Sequence, residues 1–155
     1  MGQVITRSEL GKIVGDLKTS GKKIVTTNGC FDILHIGHVR ILNEAKTLGD
    51  VLVVGLNSDR SVQKLKGQNR PIVGQDDRAE LLANLNAVDY VSIFDEDNPI
   101  EFLKVAKPDF HVKGQDYKAG ELLETPVVES LGGQIKLLKL VPGKSTTSLI
   151  GKINS

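Results

Sequence analysis

Lys23-Ile24-Val25-Thr26-Thr27-Asn28-Gly29-Cys30-Phe31-Asp32-Ile33-Leu34-His35-Ile36-Gly37-His38-Val39 is the stretch on which the fold turns. Residues 23–27 form a short β-branched run, the pattern of a buried strand. Asn28-Gly29 breaks that run. From about Gly37 a helix follows, with Val39, Leu42, Ala45 and Leu48 on one face and Gly49 closing it. Strand, loop and helix in that order are the opening half of a βαβ unit.

The same alternation continues outward. In the N-terminal segment 1–21, Leu10, Ile13, Val14 and Leu17 recur at spacings of three and four, which predicts a helix over 7–19. Val51-Leu52-Val53-Val54-Gly55-Leu56 is the clearest buried strand. Residues 57–74 show no periodicity, several Lys and Arg, and a Gly, and read as a long mobile basic loop. Asp76 and Asp77 open the next helix, where the dipole favours acidic side chains. Further strands are expected at 90–94, 109–113 and 134–140, with a helix beginning at Asn98-Pro99 between the first two. Another helix lies within 121–131 around Pro126, and the last starts near Thr146. Five strands alternating with helices predict an α/β chain, a single domain over 1–155 built as a Rossmann-like, doubly wound, five-stranded parallel sheet. Ligands of such sheets sit beyond the carboxyl ends of the strands. The loops that matter are therefore 28–38, 57–74, 113–118 and 141–147.

Composition narrows the function. The 155 residues suit one core. Twenty Lys and Arg against 19 Asp and Glu leave a net charge of +1, too little for a nucleic-acid footprint. Trp is absent and aromatics are 4%, which gives neither base-stacking platforms nor a membrane belt. Cys30 is the only cysteine, so no internal disulfide or cysteine zinc cluster is available. No apolar run approaches the roughly 20 residues needed to span a bilayer, and the N-terminus is not a signal peptide. A cytoplasmic protein without nucleic-acid or membrane partners is the expectation.

Chemistry concentrates after the first strand. His35 and His38 lie three apart at a loop-to-helix junction, and so face the same side. That junction offers free backbone N–H groups and a positive dipole end to an anion, and Gly37 permits close approach of a phosphate. Taken alone, a His-x-x-His pair serves structure or metal binding as readily as catalysis. No GxxxxGK[ST] loop and no GxGxxG follow a strand, which disfavours a P-loop kinase and a dinucleotide-dependent dehydrogenase. Asp95-Glu96-Asp97 reads as a solvated helix entry rather than a metal site, and His111 as a strand residue buried against a helix. Arg78 stands in the first turn of a helix, where a cation opposes the dipole. Either an anionic ligand or an ion pair with Asp76 or Glu80 explains it.

Gly29-Cys30-Phe31-Asp32-Ile33-Leu34-His35-Ile36-Gly37-His38 resembles the GxFDxxHxGH signature of the HxGH, or cytidylyltransferase-like, nucleotidyltransferases. The resemblance runs from about Lys22 to Ile153. Lys64-Leu65-Lys66-Gly67 with Arg70-Pro71-Ile72, Val112-Lys113-Gly114-Gln115-Asp116-Tyr117 and Gly143-Lys144-Ser145-Thr146-Thr147 look like the family's later motifs. Their order is most similar to the heptose 1-phosphate adenylyltransferase branch, which makes ADP-heptose and is fused to a sugar kinase in many bacteria. The resemblance implies the HxGH nucleotidyltransferase fold and transfer of a nucleoside monophosphate to a sugar phosphate.

It also implies roles. His35, His38 and Lys66 would be catalytic. Asn28, Gly29, Cys30, Phe31, Gly37, Asp116, Ser145, Thr146 and Thr147 would bind the nucleotide and its phosphates, with Asp116 on a ribose hydroxyl. Asp32, Lys64 and Arg78 are acceptor-side candidates, although Asp32 fits better as the residue holding the loop through backbone N–H groups. No metal ligand is assigned to the protein; Mg²⁺ would enter on the triphosphate. Partners are a nucleoside triphosphate, ATP ahead of CTP, and a sugar phosphate supplied by a separate sugar kinase, with a homodimer expected from the family. Glycerol-3-phosphate cytidylyltransferases often carry Lys directly after Ser-Thr-Thr; this chain has Ser148 there. FAD synthetases usually lack the Lys-Gly-x-Asp-Tyr loop. These two activities and a nucleotide-binding regulatory module are the alternatives.

Overall fold

The computed structural model describes residues 1–115, 118–139 and 142–155, and of Ala119 the backbone only. Its elements are β1 (Gln3–Val4), α1 (Arg7–Thr19), β2 (Ile24–Gly29), α2 (Ile36–Lys46), β3 (Val51–Asn57), α3 (Asp59–Lys66) and α4 (Gln75–Ala83). Then come β4 (Tyr90–Phe94), α5 (Ile100–Ala106), β5 (Phe110–Gly114), a 3₁₀ turn (Ala119–Glu121), α6 (Thr125–Ser130), β6 (Gln134–Leu138) and α7 (Thr146–Asn154). The strands form one sheet in the order β1-β4-β3-β2-β5-β6, and every pairing among the described residues is parallel.

Consecutive strand residues feed opposite cores. Ile24 and Val53 pack with Leu10, Phe102 and Leu103 on one face of the sheet. Val25, Leu52 and Val54 pack with Leu42, Ala79 and Leu82 on the other. All four of Ile24, Val25, Leu52 and Val53 are fully buried, which is why these segments are continuous apolar runs rather than alternating ones. Gly55 is required inside β3, because a Cβ there would lie 2.8 Å from the Phe102 ring. No helix among the described residues is long and apolar enough to cross a membrane.

Two expectations need correction. The sheet has six strands, not five, because Gln3–Val4 adds an edge strand beside Tyr90 and Val91. Two residues are too few to show a period, and what places them is backbone bonding: the Gly2 N–H donates to the Ala83 carbonyl at 2.8 Å and that of Gln3 to Asp89 at 3.0 Å. The N-terminal segment 1–21 therefore holds this strand as well as the helix, which occupies Arg7–Thr19 as its spacing predicts. The segment 57–74 is not all loop: Asn57 ends β3 and α3 occupies Asp59–Lys66. Ser58 caps that helix by accepting from the Ser61 N–H at 3.1 Å. Only Ser61 and Val62 of α3 are buried, so its sequence shows no apolar stripe. The helix is tied down instead by polar contacts to the β4–α5 loop. Arg60 pairs with Asp95 at 2.8 Å, Lys64 with Asp97 at 2.8 Å, and Arg7 of α1 meets Glu96. The acidic run is thus a set of ion-pair partners.

Strand order reverses between β2 and β5: from β2 the chain moves outward to β3 and then β4 on one side, and from β5 outward to β6 on the other. In doubly wound sheets the crevice beyond such a reversal is the binding position.

Candidate active site

A cleft of about 650 Å³ opens at that point, lined by the ends of β2, β3 and β5 and the starts of α2 and α7. The β2–α2 loop is its floor. His35 is the N-cap of α2, and its Nδ1 accepts the Gly37 N–H at 3.1 Å. His38 reaches back, and its Nδ1 accepts the His35 N–H at 3.3 Å. Two histidines thus form a reciprocal capping box of the kind usually built from Ser or Thr with Glu. The rings stack with centroids 3.8 Å apart and planes at 28°. With both Nδ1 atoms accepting, the proton of each neutral ring resides on Nε2, which leaves two N–H donors for a ligand.

The surroundings keep those rings neutral. Burial pushes His38 down to about 4, and His35 beside it adds to the effect. Burial also lowers His35, helped by the Lys144 ammonium. Gly37 is needed for the arrangement, since a Cβ there would lie 2.8 Å from His35 Cε1. Phe31 adopts φ 46°, a left-handed conformation that costs a non-glycine residue energy, and its ring lies 5.1 Å from that of His38.

Asp32 holds this loop to the rest of the site. Its carboxylate is buried and accepts from the N–H groups of Ile72 at 2.8 Å and Val73 at 2.9 Å and from Arg70 Nε at 2.7 Å. Burial alone would raise this carboxyl, but those donors outweigh it and hold it below the usual carboxylate range. At the other side, Ser145 caps α7 by accepting from the Ser148 N–H at 3.0 Å. Thr146 Oγ1 donates to the Ile33 carbonyl at 3.0 Å, which docks α7 on the histidine loop.

Most of the expected site residues meet here. Asn28, Gly29, Cys30 and Phe31 line the cleft, as do His35, Gly37 and His38, and Lys66, Ser145 and Thr146 complete it. Asn28 Oδ1 is buried with no hydrogen-bond partner among the described residues, an acceptor left for a ligand or water. Burial pushes the Cys30 thiol up despite nearby Lys66, so it stays protonated and unreactive. Thr147 does not line the cleft, and Asp116 lies outside the described residues.

The acceptor-side candidates fare differently. Asp32 and Arg78 are turned into the protein, and Lys64 is spent on Asp97. Arg78 is 0% exposed. It donates to the carbonyls of Cys30 at 2.6 Å, Asn57 at 2.9 Å and Val73 at 2.8 Å, and to Asp59 Oδ1 at 2.8 Å. Its misfit with the helix dipole is resolved by these inward acceptors, not by a ligand, Asp76 or Glu80. Sequence reasoning missed Glu124, which pairs with Lys113 at 3.2 Å on the cleft wall, because the pairing joins distant segments. Lys144, the residue before Ser145, also lines the cleft.

Among the described residues no group of three or more His, Cys, Asp or Glu is placed to hold a metal ion. The cleft's donors, two imidazole N–H groups, ammonium groups and a helix N-terminus, suit phosphate oxygens.

Comparison with known proteins agrees with that chemistry. The cytidylyltransferase-like family model matches residues 26–147. The bifunctional protein HldE of Geotalea uraniireducens is 52% identical over 146 residues, covering 94% of this chain and 30% of that protein. HldE of a Nitratiruptor species is 54% identical over 147 residues, covering 95% of this chain and 31% of its own length. The chain therefore spans about a third of these curated relatives. A solved lipopolysaccharide core biosynthesis protein from Thermoplasma volcanium superimposes with a TM-score of 0.64 and 31% identity, covering 78% of this chain and 98% of that one.

Proposed function

The chain belongs to the cytidylyltransferase-like family, and from that premise we propose that it transfers a nucleoside monophosphate from a nucleoside triphosphate to a sugar 1-phosphate. The donor is ATP and the acceptor heptose 1-phosphate, itself the product of a sugar kinase. The observation that carries the reading is the stacked histidine pair, whose Nδ1 atoms are both occupied by backbone N–H groups, so that both Nε2–H groups are left as donors. The relatives named HldE and the neighbour named for lipopolysaccharide core biosynthesis support the sugar-phosphate acceptor.

The chemistry needs no general base, because a phosphate nucleophile is already anionic at neutral pH. An acceptor oxygen attacks the α-phosphorus, and the α–β bridge breaks with pyrophosphate leaving. Charge grows on oxygens beside the two imidazole donors, which are fixed in place before the reaction begins. Lys66 neutralises part of that charge, and Ser145 and Thr146 hold the tail phosphates at the start of α7. Mg²⁺ bound to the triphosphate would supply further charge neutralisation. A cytoplasmic location and a homodimer belong to the same proposal, the latter testable by sedimentation.

The test is a pyrophosphate-release screen that crosses ATP and CTP with heptose 1-phosphate, other sugar 1-phosphates, glycerol 3-phosphate and FMN. The proposal expects release with ATP and heptose 1-phosphate above every other pair. Release only with CTP and glycerol 3-phosphate, or only with FMN, replaces the substrate assignment. Nucleotide binding without release for any acceptor favours a regulatory module.

A further inference from the structure

We infer that Lys144 is a second catalytic cation, one that takes the leaving diphosphate at the head of α7 while Lys66 acts from the other flank of β2. The inference rests on the nucleotidyl-transfer reading above and assigns a role to a residue that reading does not use.

Four lysines stand in or beside the cleft, and two of them are already neutralised. Lys113 pairs with Glu124 at 3.2 Å and Lys64 with Asp97 at 2.8 Å. Lys66 and Lys144 both line the cleft, and neither has an ion pair among the described residues. They arrive from opposite directions: Lys66 ends α3, which follows β3, and Lys144 follows β6, with β2 between those strands in the sheet.

An exposed lysine is ordinarily just solvated, but the root of this one is held. A Cβ on Gly37 would lie 3.5 Å from the Lys144 Cβ, so Lys144 starts directly over the glycine between the two histidines. The next two residues lock that position, Ser145 by capping α7 and Thr146 by its bond to the Ile33 carbonyl. Besides the larger effect of burial, the Lys144 ammonium lowers His35 further. The Lys144 ammonium thus stands on the histidine side of the cleft with no ion-pair partner among the described residues, and a polyanion would supply one.

The reaction places charge where such a cation would meet it. The acceptor oxygen forms a bond to the α-phosphorus as the α–β bridging P–O bond breaks. The electron pair of the broken bond stays on the bridging oxygen, which departs as a terminal oxygen of pyrophosphate. No proton is transferred. The first-turn N–H groups of Thr146 and Thr147 have no helical carbonyl to bond and point to the same anion. Lys144, one residue before the cap, adds a full positive charge to them.

The experiment compares Lys144→Gln, Lys144→Arg and Lys152→Gln, the last removing the same charge from the exposed far end of α7. Two quantities are read: kcat for pyrophosphate release from ATP with heptose 1-phosphate, and calorimetric affinity for inorganic pyrophosphate. Loss of one transition-state donor costs about 10²-fold in rate. Lys144→Gln is expected to lose about that much kcat and at least tenfold in pyrophosphate affinity. Its KM for the acceptor stays near wild type. Lys144→Arg restores most of both quantities, and Lys152→Gln matches wild type. Wild-type behaviour of Lys144→Gln overturns the inference, and so does an equal fall in Lys152→Gln. A fall in kcat with unchanged pyrophosphate affinity overturns the leaving-group assignment. Failure of the wild-type protein to release pyrophosphate from either nucleotide is a different result, and sinks the nucleotidyl-transfer reading itself.

Discussion

Replacing Arg78 by methionine should cost the fold about 3–5 kcal/mol, the range for removing one member of a buried charged cluster. The guanidinium has no exposure and bonds three backbone carbonyls from three separate segments, Cys30, Asn57 and Val73. Each hydrogen bond from a charged donor contributes about 1.5–3 kcal/mol, so three together set an upper bound that relaxation and water entry reduce. The ion pair with Asp59 adds little, roughly 1 kcal/mol at most, because that carboxylate is about half exposed. Methionine fills most of the space and keeps water out, which orphans the carbonyls. Alanine leaves a polar gap that water can enter, and should be the milder variant by about 1 kcal/mol. For a domain of this size a loss of 3–5 kcal/mol lowers Tm by roughly 10–15 °C. Urea titration of both variants, with circular dichroism as readout, measures the loss directly. Two outcomes would refute the reasoning: a methionine variant within about 1 kcal/mol of wild type, or one more stable than alanine.

His111 gives a pH prediction. It is fully buried, with Nδ1 2.7 Å from Thr26 Oγ1 and Nε2 without a partner among the described residues, and burial pushes it down to about 3. The unfolded chain therefore binds a proton near pH 6.5 that the native state refuses. Stability is fully present above that value and falls as pH drops through the window from about 6.5 to 3, at up to about 1.4 kcal/mol per pH unit. Urea midpoints at pH 6.5 and 4.5 should show about 2 kcal/mol less acid loss in His111→Asn than in wild type; parallel slopes for the two proteins refute this. Gly37→Ala puts a Cβ 2.8 Å from the His35 ring, so kcat should drop at least tenfold while Tm moves by only a few degrees. Unchanged kcat in that variant would show that the His35 position is not critical. Thr146→Ala loses the bond to the Ile33 carbonyl and should raise KM for the nucleotide several-fold, with Thr146→Ser close to wild type. Equal KM values across the three proteins would remove Thr146 from the site.

What the sequence revealed, it revealed through local patterns. Val51 to Leu56 is an unbroken apolar run because β3 is covered on both faces, so the strand and its neighbours were readable. His35, Gly37 and His38 lie within four residues, and their geometry follows from a helix start. The failures share one cause: contacts between distant segments. α3 is tethered by ion pairs to residues 95–97 rather than by an apolar stripe, and looked like loop. The two residues of β1 are placed by Ala83, Asp89 and Val91. Arg78 did announce itself as a cation at the wrong end of a helix. The carbonyls that explain it come from positions 30, 57 and 73, and nothing near 78 marks them.

The most direct test of the central claim is pyrophosphate release from ATP by His38→Ala at saturating heptose 1-phosphate, set beside wild type. The imidazole Nε2–H is one fixed donor to developing charge, worth about 10²-fold in rate. The account predicts a fall in kcat of about that size with KM for the acceptor nearly unchanged. Turnover within threefold of wild type would contradict it.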